Sequence, residues 1–161
     1  MPEALSPELL EEAYKILMFF AVVVLIIWVL FANTVRSTLK LIAPDNLAML
    51  PNQAWLLVIP FFNIYWNFEV ARRLSNSLNN EFFDRKIEVE ENPGMRAGMF
   101  YAWTFLFYNF PFPAFMRLLG MIVGIVYFIS YWYKINEYRE LIIEHNKWRE
   151  SQNDKIDQHE N

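Results

Sequence analysis

The 161-residue chain predicts an all-α integral membrane protein, a four-helix bundle made of two helical hairpins, with helical cytoplasmic extensions of spans two and four. Three observations predict it. Apolar residues make up 55% of the chain and fall into blocks with the charges between them, a pattern suited to a bilayer rather than to a large soluble core. The blocks can be read as four spans, at about 14–32, 54–70, 97–111 and 114–133. Lys and Arg are distributed unevenly across the connections, as the positive-inside rule requires.

The composition also excludes classes. There is no Cys, so disulfide, thiol and cysteine–metal chemistry are absent. The formal charge of −4 leaves no basic surplus, and no nucleic-acid partner is expected. No H-E-x-x-H, glycine-rich phosphate loop or G-x-S-x-G occurs, and His145 and His159 have no second ligand patterned nearby. The expectation is a non-enzyme with no catalytic residues, metal or cofactor.

Ile16 to Ala32 is uncharged for seventeen residues, nearly enough to cross a ~30 Å hydrocarbon layer at ~1.5 Å per residue. A cleaved signal peptide competes with this reading. Against it, the preceding region is acidic (Glu3, Glu8, Glu11, Glu12), the block is long, and no small-x-small site follows. Ser6-Pro7-Glu8 reads as an N-cap, a first-turn proline and a dipole-favoured acid, so the helix should begin near Pro7. The connection from Asn33 to Gln53 carries Val35, Leu39, Ile42, Leu47 and Leu50, and is expected outside as an interfacial helix broken at Pro44 and Pro51.

The second block, Ala54 to about Val70, holds the polar residues of interest. Pro60 should kink it and leave the Leu56 carbonyl unpaired. Asn63 and Asn67 share a helix face, either as a polar notch for a solute or as interhelical glue. Glu69 lies toward the inner interface, with Arg72 and Arg73 at i+3 and i+4 to pair with it. These five form the candidate interhelical polar cluster.

The third block, 97–111, is short enough that a re-entrant segment is an alternative. Asn109-Phe110-Pro111-Phe112-Pro113 ends it and starts the fourth in a tight hairpin. Gly120 and Gly124 form G-x-x-x-G, a helix-packing face for span one, span three or a second copy. Trp28, Trp55, Tyr65, Trp66, Tyr131, Trp132 and Tyr133 are expected as interfacial anchors.

With four spans and both termini on one side, eleven of the fourteen basic residues share that side; Arg36, Lys40 and Arg117 lie opposite. Orientation follows Lys and Arg, so the N- and C-termini are both expected in the cytoplasm. Beyond the spans, Val70, Leu74, Leu78 and Phe82 continue a stripe through 71–83. Ile135, Tyr138, Ile142 and His145 do the same through 134–149. Each stripe is the natural partner of the other. Asp84 to Gly94 is a solvated connector closed by an Asn-Pro-Gly turn. The single membrane domain covers 1–149, and 150–161 is expected as a polar flexible tail.

The string from Ala54 to Phe82, with W-L-x-x-I-P-x-F-N-x-x-W-x-F, and the later "ISYWYKINEYRELI" resemble small uncharacterised bacterial multi-spanning proteins similar to the domain of unknown function 4328 class. Trp55, Leu56, Ile59, Pro60, Phe62, Asn63, Trp66 and Phe68 carry the first match; Tyr131, Trp132, Lys134, Ile135 and Tyr138 carry the second. The resemblance implies a four-span protein of the bacterial cytoplasmic membrane and brings no activity with it. Two functions are open: an accessory, assembly or anchoring subunit, or a small oligomeric transporter or channel with a path near Asn63, Asn67 and Glu69. The expected partners are the lipid bilayer and other membrane subunits or further copies of the chain.

Overall fold

The computed structural model describes residues 6–159, with side chains as far as Lys155. Four α-helices dominate: α1 (Pro7–Leu39), α2 (Phe62–Arg85), α3 (Met95–Asn109) and α4 (Ala114–His159). Two 3-10 segments, Pro44–Asn46 and Pro51–Val58, lie between α1 and α2. There is no strand among the described residues.

Local chemistry explains the boundaries. The Ser6 hydroxyl accepts from the Leu9 N–H at 3.4 Å, with Pro7 in the first turn, so α1 starts where its cap motif places it. Past Arg85, Lys86 is left-handed, and the Ile87 N–H reaches the Phe82 carbonyl at 2.9 Å, which closes α2 with a six-to-one bond. Asn92-Pro93-Gly94 turns through Gly94 at φ 72°, with the Met95 N–H on the Asn92 carbonyl. That is the proline-then-glycine order a type II turn requires.

The second apolar block is broken. Pro60 forces Ile59 into an extended conformation, which ends the 3-10 segment at Val58. The chain then turns at Phe61 (φ 63°, ψ −45°), with the Phe62 N–H on the Pro60 carbonyl at 2.7 Å, a γ-turn of the hand that side chains disfavour. The Leu56 carbonyl is not left unpaired as expected, because the Ile59 N–H takes it at 3.3 Å. A single helix over 54–70 is therefore replaced by an ascending 3-10 leg, an elbow and a descending helix.

Helix directions follow from the contacts. Phe31 on α1 meets Phe128, Tyr131 and Trp132 on α4, and the Trp132 Nε1–H donates to Thr34 Oγ1 at 3.0 Å. Further along, Leu41 to Ala43 share a cleft with His145, Trp148 and Arg149. Numbers rise together, so α1 and α4 are parallel. The expectation of opposite directions for spans one and four is not met. α3 runs against both: Trp28 meets Phe105 and Phe31 meets Tyr101, while Gly124 lies by Thr104 and Gly98 by Tyr131. α3 and α4 form the expected hairpin; the other is α1 against the 3-10 leg, not against a second long helix.

One core gathers the lower half. It contains Phe31, Val35 and Leu39 of α1, Leu57 of the 3-10 leg, and Val70, Leu74, Leu78 and Phe82 of α2. Tyr101 and Phe105 of α3 join Tyr131, Ile135, Tyr138 and Ile142 of α4. The two expected stripes both reach it, and the Phe82 and Tyr138 rings meet tilted at 60°, with centroids 5.8 Å apart. Val35, Leu39 and Ile42 are core, not an interfacial loop, since α1 continues to Leu39. α4 continues helically through most of the region expected as a flexible tail.

The upper half is bare. From Ile16 to Leu30, twelve large apolar side chains of α1 are exposed, and α4 exposes Phe115, Leu118, Leu119, Ile122, Val126 and Ile129. α1 and α4 are the two helices long and apolar enough to cross a membrane. At ~1.5–3 kcal/mol for each fully buried large apolar chain, water would leave on the order of ten or more kcal/mol unclaimed on α1 alone. That is comparable to the net stability of an ordinary domain.

Gly120 and Gly124 seat α4 on Phe107, Tyr108 and Thr104 of α3, which resolves the three options for that face. Two glycines leave no room for a side chain: a Cβ on Gly120 would lie 2.6 Å from the Phe107 ring, and one on Gly98 would lie 2.8 Å from both the Ala71 Cβ and the Tyr131 ring. Gly98→Ala should therefore destabilise the protein by about 1–3 kcal/mol. Gly124→Ala, whose nearest neighbour, the Tyr108 ring, is 3.2 Å away and need move only a few tenths of an ångström, should cost less than Gly98→Ala, helix propensity offsetting part of the crowding. Thermal unfolding in detergent checks the order.

Candidate functional site

The structure gathers polar groups at two levels. The first is the cluster expected around the second block. Glu69 is buried and takes Arg72 Nη2 on Oε1 at 2.8 Å and Arg73 Nε on Oε2 at 2.6 Å. The Arg73 guanidinium also lies 5.9 Å over the Trp66 ring. Trp66 Nε1–H donates to the Gln53 carbonyl at 3.0 Å, and Arg36 Nε donates to Asn52 Oδ1 at 3.1 Å. These bonds tie α1, the ascending 3-10 leg and α2 together below the elbow. Asn63 and Asn67 are buried on the same stretch of α2, 2% and 5% exposed.

The second cluster lies at the far end of the core. Glu81 is 2% exposed. Its Oε2 accepts from the Ala43 N–H and from Asn46 Nδ2, both at 2.9 Å, and its Oε1 accepts from Arg85 Nε at 2.7 Å. Burial pushes the Glu81 carboxyl up, but the bonds from Asn46, Ala43 and Arg85 outweigh it and hold the group below its ordinary value. Asn46 Nδ2 also reaches Asp84 Oδ2 at 2.8 Å. Arg85 Nη1 donates to Asn146 Oδ1 at 2.6 Å and to His145 Nδ1 at 3.1 Å. Glu81 and Arg85 thus bolt the 41–46 connection, α2 and α4 into one unit, beside a cleft of about 450 Å³ lined also by Trp148 and Arg149.

A third clamp holds the connector. Glu90 Oε1 accepts from Lys134 Nζ at 2.6 Å, from the Tyr138 hydroxyl and from the Gly94 N–H at 3.2 Å. The Lys134 and Tyr138 bonds hold the Glu90 carboxyl down to about 2.

The aromatic residues expected as interfacial anchors divide. Tyr65 and Tyr133 are exposed, Trp55 is 39% exposed, and Trp28 and Trp132 are partly buried. Trp66 and Tyr131 are core, 7% and 2% exposed, which removes them from the set that could meet an interface. Sequence reasoning missed Asn46, Glu81 and Arg85. The Glu81–Arg85 spacing of four was a signal, as was His145 continuing the stripe of Ile142. Among the described residues, no three His, Asp or Glu side chains gather closely enough to hold a metal.

Comparison with models of protein families, with curated proteins and with solved structures finds no match. The resemblance therefore rests on the quoted strings alone.

Glu81→Ala should cost about 3–5 kcal/mol, because it strands Arg85 and leaves Asn46 and the Ala43 N–H without their acceptor. Chemical unfolding in detergent measures it. A loss below about 1 kcal/mol, the range of an exposed pair, would mean that the network is not formed.

Proposed function

We propose that this chain is a non-catalytic integral membrane protein, an accessory, assembly or anchoring subunit that holds a helical headpiece against the cytoplasmic face of a bilayer. The observation that carries it is the division of the molecule into one bonded core and one bare apolar half. The bare portions of α1 and α4 emerge on the same side of the core, because the helices are parallel and Phe31 meets Phe128 at their base. Above that base α1 offers Pro7–Leu30, about 36 Å of helix and longer than a ~30 Å hydrocarbon layer, whereas α4 offers Ala114–Tyr127, about 21 Å, and crosses such a layer only where the layer extends down past Tyr131 to the level of Lys134.

The charges fit one orientation. Just below the base, Arg36, Arg72, Arg73, Arg96 and Lys134 fall at nearly one level, set by the meeting of Ala71, Gly98 and Tyr131. Only Lys15 and Arg117 lie toward the opposite end; the other twelve of the fourteen basic residues lie at or below the belt. By the positive-inside rule the headpiece is cytoplasmic and the N-terminal end of α1 is outside. This assignment separates the basic residues more sharply than the even-span reading did. The α3–α4 hairpin enters from below, and the elbow at Ile59 to Phe62, with Phe61 87% exposed, reads as a re-entrant tip. The resemblance supports the bacterial cytoplasmic membrane as the location.

A broken, re-entrant segment also favours a second reading, a small oligomeric transporter, since such segments line solute sites. Against it, Glu69 is already neutralised by two arginines.

Because the chain has no Cys, single cysteines at Glu8 and Glu150 report topology cleanly. A membrane-impermeant maleimide on intact cells should label position 8 and not position 150. Equal protection of both would restore the even-span threading. For function, purification from native membrane should bring a stoichiometric membrane partner. A lone chain that carries solute in liposomes, with flux lost in Asn63→Leu at unchanged melting temperature, would instead establish the transporter.

A further inference from the structure

The cleft at the foot of the headpiece has chemistry that the anchoring reading does not use. We propose that it binds a small soluble oxyanion, a carboxylate or phosphate, between the His145 Nε2–H and the Arg149 guanidinium, beside the Trp148 ring.

The donors are defined by their neighbours. Arg85 can only donate, so its 3.1 Å contact makes His145 Nδ1 the acceptor and leaves the ring proton on Nε2. Burial, Arg85 and Arg149 all hold His145 below its ordinary value, so the ring is neutral near pH 7. Arg149 lies one turn beyond His145 on the same helix face, lines the same cleft and has no ion pair among the described residues. Arg85 is engaged by Glu81 and Asn146, and is not free to take a ligand in its place. The volume, about 450 Å³, lies in the range of small-molecule sites.

The charge balance sets the strength. Glu81 cancels Arg85 inside the wall, and Asp84 faces the cleft with one oxygen on Asn46. Asp84 opposes an anion, so binding should be in the millimolar range. The position sets the source. His145 is eleven residues below Lys134, about 16 Å along α4, roughly two Debye lengths at physiological salt. A lipid phosphate held in the bilayer does not reach it, whereas a soluble anion does.

The test is the titration of His145 in the full-length protein, with His159→Gln to leave one imidazole, in nanodiscs of zwitterionic lipid. Nitrogen NMR follows the ring as inorganic phosphate is added at constant ionic strength, with chloride as control. Bound phosphate replaces repulsion by attraction, so the midpoint should rise saturably with phosphate and not with chloride. Arg149→Gln is an exposed change that touches no core contact; it should weaken the effect by about tenfold. Nanodiscs of anionic lipid without phosphate should leave the midpoint where it was. A non-saturable response, an equal response in Arg149→Gln, or a shift produced by anionic lipid alone would overturn the proposal.

Discussion

The architecture depends on the parallel alignment of α1 and α4, enforced where Phe31 is enclosed by Phe128, Tyr131, Trp132 and Tyr101. Four aromatic partners around one ring fix both the level and the direction of the two long helices. Once they are parallel, their apolar halves must emerge on the same side of the core. Nothing in the described chain covers α1 above Trp28. An apolar solvent or another apolar helix must do so, and everything proposed about location rests on that necessity.

Parallel long helices leave a return problem, which the broken second block solves. The chain must climb from Leu39 to the start of α2 before descending again. An α-helix would rise 1.5 Å per residue, whereas the extended turns of a 3-10 rod rise about 2.0 Å, so Pro51–Val58 covers more height in eight residues. Pro60 ends the climb and the γ-turn at Phe61 reverses it. The elbow carries Ile59, Phe61 and Phe62 on its outside, so its strained backbone is sheathed in apolar side chains. Below it, the Trp66, Arg36 and Glu69 bonds pin both legs.

Much of the local structure was legible in the sequence. Ser6-Pro7 and Asn92-Pro93-Gly94 act through the backbone of their own neighbourhood, and G-x-x-x-G and the two stripes are periodic signals that a neighbouring helix reads directly. Direction was not legible. Hydropathy is the same read up or down, and the basic count turned on whether Arg36 and Lys40 sat outside. In the structure α1 runs on to Leu39 and carries Arg36 and Lys40 into the core's half. Pro60 was seen as a kink, but a proline alone does not distinguish a bent helix from a reversal; the following unfavourable φ at Phe61 does that, and no residue preference announces it. The Glu81 network was hidden because its partners come from three separate segments.

The most direct test of the central claim is solvent access to the bare half. Nitroxides at Val22 of α1 and Ile122 of α4, in the reconstituted protein, should collide readily with dissolved oxygen and poorly with a water-soluble nickel chelate. A nitroxide at Glu144 should behave in the opposite way. Ready collision with the nickel chelate at Val22 and Ile122 would place both helices in water and contradict the account.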